Sequence, residues 1–226
     1  MTPRALPHEV ADGPTLMAGD EALLDAVARG GPATVRTYEW STPTLSLGYF
    51  QREDEARADP RFAVCPIVRR PTGGGAIWHD VEITYAVVLP AADPLADRAA
   101  DLYERVNRVL RAILNADGFG VDRRGGRRDP AAPRPFLCFL DQDPEDVVCR
   151  GRKVVGAAQR RRRGAVLQHG SILLRASPVL PDLPGLLDLI PSAPPTSWAA
   201  TLAPRLAAGL RGGVELGAPS GASLPT

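Results

Sequence analysis

The sequence predicts an α+β domain with a mainly antiparallel sheet flanked by helices. Helical and strand patterns are interspersed along the chain, most connections between strands are short, and no repeat or composition break divides it. With 226 residues, 44% of them hydrophobic, one domain can bury a sizeable core. We therefore assign residues 1–216 to a single domain and expect residues 217–226 to form a disordered tail.

Hydrophobic spacing defines the elements of the N-terminal half. Residues 1–15 show no regular pattern and are predicted to form an irregular lead-in. A helix is predicted over residues 19–29, because its apolar positions share one face, Asp20 is a favourable first residue and Gly30 a favourable stop. Period-two alternation and apolar runs predict strands, and a charged segment predicts a short helix. The strands cover residues 33–40, 44–49, 63–68 and 82–89, and the short helix covers residues 52–58.

The C-terminal half contains the longest predicted helix, residues 96–117, whose apolar residues recur at helical spacing until Gly118. Residues 123–133 are basic and without periodicity, which predicts a mobile loop. The remaining pattern is a hairpin, one more strand and a final helix. These comprise strands over residues 146–149 and 153–159, a basic turn at 160–164, a strand over 165–174 and a helix over 198–210.

Composition excludes several classes of protein. No apolar run approaches the ~20 residues needed to span a bilayer, and the first residues lack the apolar core of a secretory signal. Cys65, Cys138 and Cys149 show no CxxC spacing, which argues for a reducing cytoplasm and against disulfides or a structural metal. A formal charge of +1, without interleaved aromatic and basic residues, argues against nucleic-acid binding. We expect a cytoplasmic protein that binds neither membrane nor nucleic acid.

A glycine triplet, Gly73, Gly74 and Gly75, lies between two predicted strands in the segment RRPTGGGAIWHD, residues 69–80. Glycines lose much backbone entropy on folding and are retained where the chain must turn at positive φ or where a ligand must approach main-chain amides. Nearby arginines and His79 would suit a carboxylate, a phosphate or a thioester carbonyl. The alternative is a tight hairpin loop with its arginines in solvent.

Lys153 is the single lysine in a chain that contains 26 arginines. Arginine is larger, planar and permanently charged, whereas a lysine ammonium is a compact charge that can release its proton. A lysine kept in this background therefore indicates a position that arginine cannot fill. The alternative is a surface lysine left by chance.

Three ordered motifs resemble the lipoate–protein ligase and octanoyltransferase superfamily. They are RRPTGGG with His79 and Asp80, GRKVVGAAQ at residues 151–159, and QHGSILL at residues 168–174. The resemblance covers about Asp20 to Leu174 and implies a biotin/lipoate ligase-like catalytic domain. It also implies a cytosolic enzyme that attaches octanoate or lipoate to a lysine of a lipoyl-carrier domain, with Lys153 in its active site.

Within the superfamily, the segment around Cys138 resembles the cysteine loop of octanoyl-[acyl-carrier-protein]:protein N-octanoyltransferases. This resemblance implies an octanoyl-acyl-carrier protein as donor and a lipoyl domain or the glycine-cleavage H protein as acceptor, with no requirement for ATP or Mg. A thiol beside a lysine ammonium is favoured as the nucleophilic thiolate. Cys138 could instead be a buried filler, which is the preferred interpretation of Cys65 and Cys149 in their predicted strands. We expect a monomer.

The implied site has Cys138 and Lys153 as catalytic residues and a set of substrate-binding residues. Amides of the glycine triplet, with that of Gly170, would hold the oxyanion, and Lys153 or His79 would take a proton from the acceptor lysine. Small residues after Lys153 would leave room for the acyl chain, and His169 could simply brace the loop. The substrate-binding set is Arg70, Gly73, Gly74, Gly75, His79, Gly156, Ala158, His169 and Gly170.

One feature departs from the family pattern and leaves two alternatives open. The segment after Cys138 carries Asp141, Asp143 and Glu145, and carboxylates near a thiol favour its neutral form and oppose a lysine. One alternative is an ATP- and Mg-dependent lipoate ligase that acts through an acyl-adenylate. The other is a lipoyl-domain binder without catalytic activity.

Overall fold

The computed structural model describes residues 2–126, 134–191 and 198–212. The expected disordered tail at 217–226 and most of the predicted basic loop lie outside these residues. Among the helices in the described ranges, none is both long and apolar enough to cross a bilayer.

Strands and helices alternate along the described chain, as the sequence pattern predicts. The strands are β1 Arg4–Ala5, β2 Glu9–Ala11, β3 Thr34–Trp40, β4 Thr44–Leu47, β5 Ile67–Arg69, β6 Ile77–His79, β7 Glu82–Leu89, β8 Val121–Arg123, β9 Val147–Cys149, β10 Arg152–Arg162 and β11 Ala165–Leu173. The helices are α1 Gly13–Ala28, α2 Glu53–Ala58, α3 Ala99–Ala116, α4 Leu186–Leu189 and α5 Trp198–Arg211.

The main sheet has the strand order β1-β3-β7-β11-β10-β9-β8, and β2 also pairs with β3. β1 and β2 run parallel to β3, whereas the other neighbours in this sheet are antiparallel. A small second sheet, β5-β4-β6, carries the glycine loop between its outer strands. The predicted α+β class with a mainly antiparallel sheet is therefore confirmed.

The main sheet is covered on both faces, as β7 shows most clearly. Ile83, Tyr85 and Val87 pack in the core cluster that contains α3 and α5. The intervening Ala86 and Val88 pack with α1 in a second cluster. Because successive strand residues point to opposite faces, this alternation means that β7 is buried from both sides.

The predicted lead-in and the predicted start of the first helix are wrong. Short strands form in the lead-in, and α1 begins at Gly13 because the carboxylate of Asp12 accepts a hydrogen bond from the amide of Thr15 at 2.9 Å. Asp20 is no cap: it lies inside α1, fully buried, and accepts a hydrogen bond from Tyr38.

Three predictions elsewhere are also corrected. The strand predicted over 63–68 contains only the end of that run, since β5 begins at Ile67, and Cys65 lies in a turn with its thiol donating to the carbonyl of Phe62. The basic turn predicted at 160–164 is mostly strand, because β10 stays paired with β11 through Arg162. The strand β8, at the start of the predicted basic loop, was not predicted.

Candidate active site

The glycine loop, residues 70–75, is folded around the side chain of Arg70. Its guanidinium donates to the carbonyls of Ser46 at 2.8 Å, Gly73 at 3.1 Å and Gly75 at 2.8 Å. The residue is 2% exposed, and no carboxylate among the described residues pairs with it. Arg70 therefore lies behind the loop and turns two of its carbonyls inward, whereas the sequence indicated a substrate contact.

Turning those carbonyls inward leaves the loop's amides available. Among the hydrogen bonds of the described residues, none is donated by the amides of Gly73, Gly74 or Gly75. Gly74 has φ of 91°, which only glycine adopts at little cost. A turn of this kind, with unpaired amides and a positive φ, is suited to receive an oxyanion.

The same loop fixes the segment that carries Cys138. The amide of Ala76 donates to the carbonyl of Phe136 at 2.7 Å, and the amide of Cys138 donates to the carbonyl of Ala76 at 2.8 Å. A Cβ on Gly75 would lie 2.9 Å from both the Cys138 nitrogen and the Phe136 oxygen. Residue 75 is therefore glycine because the cysteine segment packs directly on its α-carbon.

Lys153 brings its ammonium to the cysteine from β10. Its Nζ lies 3.9 Å from the Cys138 Sγ and 3.0 Å from the Cys138 carbonyl oxygen. The thiol is half-buried, whereas Lys153 is 9% exposed. The two sequence segments that contain these residues therefore meet here, and the thiol lies beside the ammonium, as the sequence predicts.

The charge of Lys153 is balanced by Asp146, whose Oδ1 lies 2.8 Å from Nζ. Burial opposes the ammonium, but the neighbouring Cys138 and the Asp146 carboxylate outweigh it and raise the pKa of Lys153 above its usual value. Lys153 is consequently held as a cation. Asp146 itself is 6% exposed and also accepts from the amide of Asp143 at 2.8 Å.

An open cleft of about 500 Å³ gives access to Cys138 and Lys153. The glycine triplet and the cysteine segment form one part of its wall, β10 another, and α3 a third. The described lining residues include four carboxylates and two cations. The carboxylates are Asp141, Asp143, Glu145 and Asp146, and the cations are Arg134 and Lys153.

The small residues after Lys153 have different surroundings. Ala157 and Ala158 line the cleft. A Cβ on Gly156 would lie 3.1 Å from Lys153 Cε and 3.5 Å from Cys138 Sγ, so this glycine leaves space for both catalytic candidates. Gly170 lies in β11 opposite Ala157, and a Cβ there would lie 2.6 Å from the Tyr85 hydroxyl oxygen. Gly170 is not among the lining residues of the cleft.

His79 lies behind the glycine loop and does not line the cleft. Its Nε2 is 2.7 Å from Ser46 Oγ and its Nδ1 is 2.9 Å from Glu82 Oε1, while the ring stacks on Trp40 at 3.9 Å. Burial lowers the pKa of His79, although Glu82 opposes the shift.

His169 is held in the same way on β11. Its Nε2 is 2.6 Å from Thr72 Oγ1 in the glycine loop, and its Nδ1 is 2.8 Å from Asp20 Oδ2 in α1. His169 therefore connects the loop to the first helix, and it too is absent from the cleft lining.

The cleft also contains residues that the sequence pattern does not indicate as site residues. The pattern places Asp146 only at the start of a hairpin, yet Asp146 pairs with Lys153. Tyr103 and Asn107 enter from α3, where the Tyr103 hydroxyl donates to the carbonyl of Ala157 at 2.8 Å. A signal for Asn107 exists in the sequence, because this amide residue directly follows Val106 in the otherwise apolar stripe of α3.

Comparison with known proteins identifies the family. Residues 12–183 match the family model described as the lipoyl protein ligase A/B catalytic domain, and the chain belongs to this family. A relative named octanoyltransferase LipM, from Kyrpidia tusciae, is 42% identical over 173 residues, which cover 72% of this chain and 62% of the relative. The chain spans about three fifths of the length of the curated relatives it matches.

Solved structures share the fold. Protein Ta0514 from T. acidophilum superposes with a TM-score of 0.71 at 23% identity, covering 92% of this chain and 84% of that protein. A bipartite lipoate protein ligase, described with its E2 lipoyl domain from Thermoplasma acidophilum, gives a TM-score of 0.53 at 23% identity, covering 91% and 72%. The predicted biotin/lipoate ligase-like catalytic fold is thereby confirmed.

Proposed function

We propose that the chain is the catalytic domain of a protein N-octanoyltransferase that acts in protein lipoylation through an acyl-enzyme on Cys138. The observation that carries this proposal is the 3.9 Å separation of Cys138 Sγ from Lys153 Nζ, beside glycine-triplet amides that donate no hydrogen bond within the described part of the chain. The relatives named octanoyltransferase support the type of reaction. The lipoyl domain described with the archaeal ligase supports a lipoyl domain as acceptor.

In the first step, the Cys138 thiolate attacks the carbonyl of an octanoyl thioester on an acyl-carrier protein. The carbon–sulfur bond to the carrier breaks, the carrier thiolate leaves and takes up a proton, and the octanoyl group remains on Cys138. Lys153 stabilises the thiolate as a fixed cation. Amides of Gly73, Gly74 and Gly75 receive the oxyanion, at about 3 kcal/mol for one such donor.

In the second step, the neutral amine of an acceptor lysine attacks the acyl-enzyme. The new amide bond forms, the sulfur leaves as thiolate beside Lys153, and the surplus proton passes to solvent. Lys153 is unsuited to take it, because its pKa is raised, and no histidine lines the described part of the cleft. The acceptor is a lipoyl domain or the glycine-cleavage H protein.

The charge of the cleft favours transfer over nucleotide-driven ligation. A thioester is neutral and an acceptor lysine is cationic, whereas a ligase must bind a free carboxylate and a triphosphate. The described lining holds four carboxylates and two cations, so it offers no excess of positive charge to bind those anions. We therefore propose that the reaction requires neither ATP nor Mg. As the sequence resemblance implies, we further propose a cytoplasmic monomer that acts on protein substrates, without membrane or nucleic acid.

The acyl chain would lie along the small residues of β10. Ala157 and Ala158 line the cleft beside Tyr103, and side chains of this size leave a groove wide enough for methylene groups. Burying six methylenes at about 0.8 kcal/mol each contributes about 5 kcal/mol, which is sufficient to select chain length.

Intact-mass spectrometry after mixing with octanoyl-carrier protein tests the proposal. We expect one octanoyl increment that forms without ATP, is absent from Cys138→Ala and is retained in the matched control Cys65→Ala. Transfer to a lipoyl domain should fall about 1,000-fold or more in Cys138→Ala, because a nucleophile is removed. Pyrophosphate exchange that depends on lipoate and survives Cys138→Ala would instead establish a ligase, and tight lipoyl-domain binding without turnover a binder.

A further inference from the structure

Asn107 carries a buried hydrogen-bond acceptor beside the cleft. The residue lies on α3, is 7% exposed, and lines the cleft with Tyr103. Its Nδ2 donates to the carbonyl of Glu145 at 2.7 Å. Its Oδ1 is buried and has no partner among the described residues.

An unpaired buried carbonyl oxygen is costly, and native proteins pair nearly all such atoms. Here the orientation of the amide is fixed, because its nitrogen is already committed to the carbonyl of Glu145. The cleft holds a second oxygen of this kind, Gln159 Oε1. The unpaired buried side-chain atoms of the described lining are thus both acceptors, and a ligand that pairs with them supplies N–H or O–H donors.

The neighbourhood of Asn107 also favours a cation. Asp143 and Glu145 line the same cleft, and Asn107 binds the carbonyl of Glu145, whose carboxylate also pairs with Arg123. Gln159 lies on β10 instead, with its Nε2 bound to the carbonyl of Ala99 and to Gln168. Asn107, which is bonded to the acidic segment at Glu145, is therefore a better partner for a positively charged donor than Gln159.

We propose that Asn107 Oδ1, with the carboxylates of Asp143 and Glu145, forms the subsite for the primary amine of the acceptor lysine. This inference rests on the proposed function. The carboxylates attract the ammonium as it enters, since opposite charge accelerates encounter. The neutral amide oxygen then accepts an N–H from the amine, and it opposes the loss of the ammonium proton less than a carboxylate would.

The two half-reactions separate this role from a structural one. In Asn107→Leu, we expect acylation of Cys138 by octanoyl-carrier protein to stay within about twofold of the original rate, measured in a single turnover. Transfer from the acyl-enzyme to a lipoyl domain should fall about tenfold or more, as for loss of a hydrogen bond to a charged group. Release of the octanoyl group by hydroxylamine, which is small and neutral, should not change.

Two further variants serve as comparisons. Asn107→Asp keeps an oxygen acceptor at the position and should recover part of the transfer rate. Glu104→Gln, on the exposed side of α3, should leave both half-reactions unchanged. An unchanged transfer rate in Asn107→Leu would overturn the proposal. An equal loss in both half-reactions would also overturn it, because Asn107 would then only hold the segment after Cys138 or assist the acyl donor.

Binding of Nα-acetyl-lysine amide provides a readout that does not need the acyl-enzyme. Titration followed by NMR should shift the side-chain amide signals of Asn107, and the shift should disappear in the double variant Asp143→Asn/Glu145→Gln. No shift in the original protein would overturn the subsite. If Cys138 is never acylated but the shift is present, the proposed transfer fails while the amine subsite stands.

Discussion

The two sides of the glycine loop contain similar polar residues in very different states. Behind the loop, both ring nitrogens of His79 and of His169 have partners, and each residue is less than 5% exposed. On the cleft side, the Cys138 thiol is half-buried, the triplet amides donate no hydrogen bond among the described residues, and Asn107 Oδ1 is unpaired.

This difference separates residues that hold the glycine loop in place from residues that can bind or react with a substrate. A polar group whose hydrogen bonds are complete can hold a loop but has nothing left for a substrate. A polar group that is held in place but lacks hydrogen-bond partners can bind or react with a substrate. The surrounding structure offsets the free energy lost by leaving it without those partners. Substitutions on the cleft side, in the loop itself and on the buried side should therefore have different effects.

Among changes that keep the Cys138 thiol, the largest effect is expected from Lys153→Met. Octanoylation of Cys138 should slow about 100-fold or more, because a preorganised charge beside the reacting sulfur is lost. The free energy of unfolding should also fall by about 3 kcal/mol, because buried Asp146 loses its closer cation, at 2.8 Å, and keeps Arg124, at 3.5 Å. Single-turnover acylation and urea denaturation measure the two losses.

The double variant Lys153→Met/Asp146→Asn separates these two effects. It also removes the buried carboxylate that lost its ammonium partner, so most of the stability should return while acylation stays slow. Recovery of the acylation rate together with the stability would contradict a direct role of Lys153 at the sulfur.

An intermediate effect is expected from alanine in the glycine loop, and it should depend on position. Gly75→Ala places a Cβ 2.9 Å from backbone atoms of the cysteine segment, so we expect a loss of about 2 kcal/mol and slower acylation. Gly73→Ala meets nothing within 4 Å, and its stability should change by less than about 0.5 kcal/mol. Thermal unfolding of the pair measures the contrast, and equal losses would argue against the packing described for Gly75.

The smallest effect on chemistry is expected on the buried side, from His79→Gln. The pKa of His79 in the folded protein is lowered by burial from the usual 6.5, so the unfolded chain binds the extra proton first as the pH falls. Stability should therefore be highest above pH 6.5 and fall below it, by up to about 1.4 kcal/mol per pH unit for this one group.

His79→Gln should lessen that acid dependence relative to the original protein, as measured by urea denaturation over a pH series. Its acylation rate at neutral pH should change by less than about tenfold, because the ring does not line the cleft. A loss as large as that of Lys153→Met would show that the buried side takes part in the chemistry.

The sequence by itself determined the elements whose pattern is local and strong. The strand predicted over 82–89 coincides with β7, the strand predicted over 165–174 is β11 within one residue, and Gly118 follows the end of α3 closely. Lys153 was singled out by composition alone. Weak local signals failed: the buried Asp20 was interpreted as a cap, and Cys65 was assigned to a strand.

Only the tertiary structure decided which motif residues face the cleft. His169 is fixed by Asp20, 149 positions away, and by Thr72, 97 positions away. Asn107 donates a hydrogen bond to the carbonyl of Glu145, in the segment after Cys138, from 38 positions away. Whether a polar side chain is satisfied or left open depends on such distant partners, and no spacing within a motif contains that information. The sequence therefore identifies the polar residues of the motifs, whereas tertiary packing decides which of them hold the loop and which face the substrate.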